Sequence, residues 1–244
     1  MDASLPWLDP ADPLAAAYRP LAAAADRPFA LAQLGQSLDG RIATASGASH
    51  FINGPAALDH LHRLRAMVDA VVVGVGTVIA DDCRLTVRRV AGPNPARVVI
   101  DPHSRLPAGA RVLAEDGVRR LVVTTAPADA PADAEIVVVP APDGQLAPRG
   151  ILDALAALGL RRVLVEGGAA TVSGFLAAGA LDRLHVLVAP VILGSGQPGV
   201  VLPPIDDLAA AIRPKATVYP LEGGDVLFDC DLRPGSVSSS GSAR

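Results

Sequence analysis

Val163-Leu164-Val165-Glu166-Gly167-Gly168-Ala169-Ala170-Thr171 sets an acid and two glycines between an apolar run and a helix start. Glycines let backbone approach a ligand closely, and the free N–H groups of a helix start attract phosphate. A plain strand-to-helix turn with Glu166 in water has the same pattern, so the residues alone leave both readings open. Gly74-Val75-Gly76-Thr77-Val78-Ile79 carries the first glycines of a dinucleotide-binding turn. Ile79 stands where the third glycine belongs, and Asp81 and Asp82 follow closely, where carboxylates disfavour a pyrophosphate. A different phosphate- or ribose-binding turn fits better. Asp81-Asp82-Cys83-Arg84-Leu85-Thr86-Val87-Arg88 crowds acids and arginines into one loop. Arg88 and Arg65 could hold a phosphate through forked hydrogen bonds, or remain solvated charges. Ser37-Leu38-Asp39-Gly40-Arg41 reads as a turn, since Asp-Gly is a turn former.

Other chemistries lack their residues. His60 and His62 are two positions apart on a predicted helix and do not share a face. With Cys83 and Cys230 far apart and no His-Glu motif, neither a zinc site nor a disulfide framework is expected. No Gly-x-Ser-x-Gly elbow and no glycine–lysine–serine phosphate loop supports a hydrolase or a P-loop protein. A net charge of −4 provides no general field for nucleic acid, so an anionic ligand needs locally placed arginines. The start lacks a basic leader, and no run reaches the roughly 20 apolar residues of a membrane span. A soluble protein of a reducing, cytoplasmic compartment is expected.

The elements that must position these residues follow from patterning. Short, continuously apolar runs predict strands at 29–34, 70–75, 97–101, 121–125, 135–139, 163–166, 184–189, 216–219 and 226–229. One helix follows Asn53-Gly54-Pro55, with Asn53 as the capping residue and Leu58, Leu61, Leu64 and Val68 at helical spacing. A second spans 151–158, closed by Gly159. A third starts after Gly168 and ends near Gly179. Alternating strands and helices predict an α/β fold with a mostly parallel sheet, and the late strands predict an antiparallel edge. Residues 1–27 read as a poorly patterned lead-in, 28–232 as one domain, and 233–244 as a disordered Gly/Ser tail.

The motifs above, in order, are joined by Ala45-Ser46-Gly47-Ala48-Ser49-His50-Phe51-Ile52, Asn94-Pro95-Ala96-Arg97-Val98-Val99-Ile100-Asp101 and Ala189-Pro190-Val191-Ile192-Leu193-Gly194-Ser195-Gly196. Together they resemble the reductase half of the riboflavin-biosynthesis deaminase–reductase family, over about residues 29 to 230. Any single motif is weak; the ordered set is specific. The zinc signature of the deaminase half is missing, which suggests a stand-alone reductase.

The resemblance implies a dihydrofolate-reductase-like three-layer fold with a mixed, mostly parallel central sheet flanked by helices. It implies NADPH, a ribosylaminopyrimidine 5′-phosphate, hydride transfer to ribose C1, and a homodimer. By position, Ser49, Arg65, Leu85, Arg88 and Glu166 fall on substrate contacts, with Arg65 and Arg88 on the phosphate. Gly35, Phe51, Gly76, Thr77, Asp81 and Ser104 fall on cofactor positions, as does the turn comprising Gly167, Gly168, Ala169, Ala170, Thr171 and Gly174. Glu166 and Asp81 are the catalytic candidates. Gln33 stands where the family usually has Lys, on the first strand facing the substrate, which removes a cation near the ribose. That departure raises an alternative, a paralogous reductase of another small carbonyl, imine or pterin. Phe51 replaces a usual Trp, and Cys83 a usual Pro.

Overall fold

Continuous β-branched runs satisfy their backbone groups by pairing on both edges, and this chain builds one large sheet from them. The computed structural model describes residues 11–24, 27–49, 52–127, 131–142 and 144–233. The strands are β1 (Phe29–Ser37), β2 (Arg41–Thr44), β3 (Ala70–Gly74), β4 (Ala96–Ile100), β5 (Arg120–Thr124), β6 (Glu135–Val138), β7 (Arg162–Val165), β8 (Arg183–Ala189), β9 (Gly196–Pro198), β10 (Lys215–Pro220) and β11 (Val226–Asp231). The helices are α1 (Ala15–Ala22), α2 (Pro55–Met67), α3 (Val75–Asp81), α4 (Pro148–Ala157) and α5 (Ala169–Ala177).

A 9-stranded sheet runs β10-β11-β8-β1-β7-β3-β4-β5-β6. Every pairing from β8 to β6 is parallel. β11 and β10 add the antiparallel edge. This is the mixed, mostly parallel sheet expected. Successive side chains alternate faces: Phe29 and Leu31 join one core, Ala30, Ala32 and Leu34 the other. α1 and α2 cover the first face through Tyr18, Leu21, Leu64 and Met67. α4 and α5 cover the second through Ile151, Leu155, Val172 and Phe175.

Several local expectations change. The lead-in contains α1, whose Ala17, Tyr18 and Leu21 are buried, together with its N-cap Leu14, at helical spacing. Alanine's weak apolar signal and Pro20 inside the helix hide that pattern. β2 and β9 pair as a separate ribbon that the sequence does not announce, because Gly-Gln-Pro has low strand propensity. Pro55 opens α2, but Gly54, not Asn53, is its N-cap. Asn53 instead donates to Asp225 Oδ1 at 3.3 Å, while Asp225 Oδ2 accepts from Gly54 N at 2.6 Å. Leu58 is exposed, so the buried stripe of α2 includes Ala57, His60 and Leu64. The tail from 234 onward lies outside the described residues. Both cysteines are free thiols, and among the described residues no helix is long and apolar enough to cross a membrane.

A polar chain crosses the first core. Tyr18 Oη lies 2.8 Å from His60 Nδ1, His60 Nε2 3.1 Å from His185 Nδ1, and His185 Nε2 3.1 Å from Asp229 Oδ1. Arg183 closes it, donating to both Asp229 oxygens at 2.7 Å. It joins α1, α2, β8 and β11.

Candidate active site

The carboxyl ends of β1, β3, β4 and β7 open into a cleft of about 1330 Å³. Open α/β sheets hold ligands at this edge. β3 and β7 are neighbours, so the turns that follow them meet. Gly167 has φ +117°, and a Cβ there would lie 2.9 Å from Thr77 Oγ1. Gly168 N donates to that same hydroxyl at 3.1 Å. Gly74 is packed as closely, since its Cβ would lie 2.6 Å from Thr171 Oγ1. The two glycine stretches of the sequence are therefore one device: the starts of α3 and α5 face each other across adjacent strands. Gly168 is the N-cap of α5, and the following N–H groups, from Ala169 to Thr171, lack intrahelical acceptors by helix geometry. They line the cleft and suit an anion.

The opposite wall is made by the last turn of α2 and the loop after α3. Arg65 Nε donates to Glu166 Oε1 at 2.8 Å and Nη2 to Oε2 at 2.6 Å, a forked pair with both side chains 8% exposed. Arg65 Nη1 donates to Thr86 O at 3.1 Å. Against its burial, Glu166 raises the Arg65 pKa further above its ordinary value. Leu85 is buried with φ +55°, a left-handed conformation a bulky residue adopts only where its surroundings impose it. Beyond it, Arg88 N donates to His62 Nδ1 at 2.9 Å, and the Arg88 side chain donates to Thr86 Oγ1 at 2.9 Å. Burial, and then the charges of Arg65, Arg84 and Arg111, depress the Arg88 pKa.

β1 supplies the floor. Gln33 is buried on the cleft wall. A Cβ on Gly35 would lie 2.2 Å from Asn53 Oδ1, so any other residue there must displace the Asn53 side chain.

The chain matches the RibD C-terminal domain family over residues 28–215. It belongs to that family. It is 38% identical over 197 residues to the 2,5-diamino-6-ribosylamino-4(3H)-pyrimidinone 5′-phosphate reductase of Methanothermobacter thermautotrophicus, which covers 77% of this chain and 90% of that protein. It is 35% identical over 175 residues to the riboflavin biosynthesis protein RibD of Aquifex aeolicus, matching 70% of this chain and 49% of that one. It thus spans about half the length of that relative. Acinetobacter baumannii RibD, form 1, superposes with a TM-score of 0.75 at 30% identity, covering 89% of this chain and 62% of that chain.

In this RibD-type domain, the cleft brings together Gln33, Gly35, Ser49, Arg65, Gly76, Thr77, Asp81, Leu85, Arg88, Glu166, Gly167, Gly168, Ala169, Ala170 and Thr171. Gly174 is not among its lining residues: it sits inside α5, where its carbonyl accepts from Ala178 N at 3.1 Å, so the anion-friendly stretch is the first turn alone. Ser104, left-handed at φ +53°, is also outside the lining, whereas its neighbour Arg105 is part of it. Phe51 lies outside the described residues. The sequence did not point to His62, Arg84, Arg105 or Arg111, which also line the cleft.

His62 makes the domain sensitive to acid. Burial first, then Arg65, Arg88 and Arg89, push its imidazole down to about 4. An unfolded histidine titrates near about 6.5. Between those values the unfolded chain binds a proton that the folded one does not, so stability falls as pH drops through that window and is fully present above it. Buried His60, also held below its ordinary value, acts in the same direction. Melting temperature followed from neutral pH downward should fall for the wild type and fall less for His62→Gln. Parallel curves would remove His62 as the source.

Proposed function

We propose that this chain is an NADPH-dependent reductase of a ribosylaminopyrimidine 5′-phosphate, either 5-amino-6-(5-phosphoribosylamino)uracil or its 2,5-diamino analogue, in riboflavin biosynthesis. The observation that carries the reading is one cleft of this family's domain in which a glycine-lined turn of free N–H groups faces a wall of arginines. The residues fit a dinucleotide: Gly74 and Gly167 let the turns after β3 and β7 close on each other, and the first turn of α5 offers donors to a pyrophosphate. Gly76, Thr77 and Asp81 line the same end.

When bound, NADPH supplies the hydride; the chain supplies position, charge and exclusion of water. Arg88 holds the phosphate. Glu166, with Arg65 fixing both of its oxygens, orients the sugar or pyrimidine. A proton must reach the oxygen released when the ribose opens; Glu166, a carboxylate held by Arg65, can orient a water that relays it from solvent. The reading extends to a cytoplasmic homodimer. Val218 and Phe228, register partners on the β10–β11 edge and both exposed, supply apolar surface for a second copy.

Purified protein should oxidise NADPH when the ribosylaminopyrimidine phosphate is added. NADPH at 100 times its dissociation constant should also stabilise the fold by roughly 2.7 kcal/mol. Binding of NADPH without turnover of that substrate would sink the substrate assignment and leave the cofactor. Gln33, buried on the cleft wall in the place of a lysine, favours a second reading, reduction of another small carbonyl, imine or pterin. Assaying wild type and Gln33→Lys on both substrate classes separates the two.

A further inference from the structure

His62 and Arg65 lie one helical turn apart on α2 and share a face. Both grip the loop that follows α3. Arg65 Nη1 donates to Thr86 O at 3.1 Å, and His62 Nδ1 accepts from Arg88 N at 2.9 Å. Between these holds, Val87 N donates to Asn94 Oδ1 at 2.6 Å. Successive backbone groups from Thr86 to Arg88 are thus pinned by side chains outside that stretch. The Arg88 side chain is exposed, and among the described residues its guanidinium reaches only Thr86, with Nη1 2.9 Å from Oγ1 and 3.4 Å from O. Nothing beyond the loop holds that fork, so its direction is inherited from the backbone that carries it.

The bond from Arg88 also decides the state of His62. A backbone N–H can only donate, so Nδ1 must keep its lone pair and the ring proton sits on Nε2. Of the three holds, this is the one that a proton cancels. An imidazolium carries N–H at Nδ1 and would face the Arg88 N–H donor to donor. His62 is buried and lines the cleft. Its surroundings oppose a further cation: Arg65 comes from its own helix, Arg88 and Arg89 from the loop. The carboxylates of this corner are already engaged, Glu166 of β7 by Arg65 and Asp59 of α2 by Arg89. Burial, with these arginines, holds the ring neutral.

We propose that His62 is a positioning residue for ligand binding: its Nδ1 fixes the Arg88 backbone and thereby aims the Arg88 guanidinium into the cleft. The inference rests on the reading of Arg88 as the partner of the ligand's phosphate. It adds a control by protons. In acid the ring gives up its acceptor, the loop loses one of its holds, and the anion is held less well although both arginines keep their charge.

Ribose 5-phosphate, titrated calorimetrically at constant ionic strength, probes the arginine without turnover. His62→Phe keeps a flat ring but has no acceptor, and at neutral pH it should weaken binding about tenfold. It should also expose the Arg88 amide to hydrogen exchange. His62→Asn sets an acceptor where Nδ1 stood and should restore both affinity and protection. The pH profile adds a readout that a merely structural histidine would not move. Wild-type affinity should fall as pH drops toward about 4, read only where melting curves show the protein folded. The phosphate itself titrates near about 6 in every variant, so the signature of His62 is a steeper fall in the wild type than in His62→Asn. Equal affinity of the wild type and His62→Phe overturns the inference. So does a His62→Asn variant that binds as weakly as His62→Phe or falls as steeply in acid as the wild type. Should His62→Phe fail to fold, the acid comparison of the wild type with His62→Asn decides alone. A wild type that does not bind ribose 5-phosphate at all overturns the reading of Arg88, and the inference with it; that outcome is distinct from binding to which His62 is indifferent.

Discussion

The Glu166→Gln variant is expected to melt well below the wild type and to lose turnover in whatever remains folded. Arg65 is buried at the end of α2, and the forked carboxylate of Glu166 is its counter-charge. Glutamine keeps the shape but leaves the guanidinium charged and unpaired in a poor solvent. Breaking such a pair from one side costs about 3–5 kcal/mol. For a domain of this size that lowers the melting temperature by roughly 10 °C. The loss in kcat/KM should be about 100-fold or more, since the group that sets the cleft wall would be misplaced. A second variant separates the effects. Replacing both partners, Arg65→Met with Glu166→Leu, removes both charges together and should recover most of the stability but none of the activity. If Glu166→Gln melts like the wild type, the pair is not the buried counter-charge described above. If the double variant turns over normally, the pair is structural only.

Asp229→Asn should be the most damaging change away from the cleft. Although burial opposes it, hydrogen bonds from His185 and Arg183 hold the Asp229 carboxyl below its ordinary pKa. Its two oxygens anchor Arg183 on one side and His185 on the other. That anchor orders a chain of hydrogen bonds that runs from Asp229 through His185 and His60 to the Tyr18 hydroxyl. Asparagine removes the counter-charge of Arg183 and can turn its amide N–H groups toward either neighbour, so the order is lost along with the ion pair. The expected cost is again about 3–5 kcal/mol, read as a shift of the urea midpoint without a large change in slope. Folded Asp229→Asn should keep its affinity for cofactor, because Asp229 does not line the cleft. A variant that is stable but fails to bind would instead tie this chain to the site.

Most of the sheet could be read from the residues because its strands are covered on both faces. Val71, Val72 and Val73 are all buried, and a run with no polar alternation has few alternatives to a central strand. What escaped depends on partners distant in sequence. β2 is a strand only because Gly196 and Gln197 lie beside it. α1 is a helix whose small apolar face needs Leu64 and its neighbours to be buried against. In the site, Arg65 and Glu166 were both recognised, but as separate contacts to a ligand. They are 101 positions apart, and spacing carries no information about a pair formed by adjacent elements of the fold. The same blindness hid the relation of the two glycine turns, which became one site once β3 and β7 were neighbours.

The place of β1 in the sheet bears on how the chain is made. β1 is the first strand of the large sheet to leave the ribosome, yet its partners are β7 and β8, with Phe29 opposite Arg162 and Ser37 opposite Ala189. At about 5–20 residues per second, roughly ten seconds of synthesis separate it from either neighbour. Through that interval a flat apolar strand has two open edges and no sheet to join, the condition under which nascent chains pair with one another. Expression yield should therefore depend on holdase capacity during synthesis more than on the stability of the finished domain.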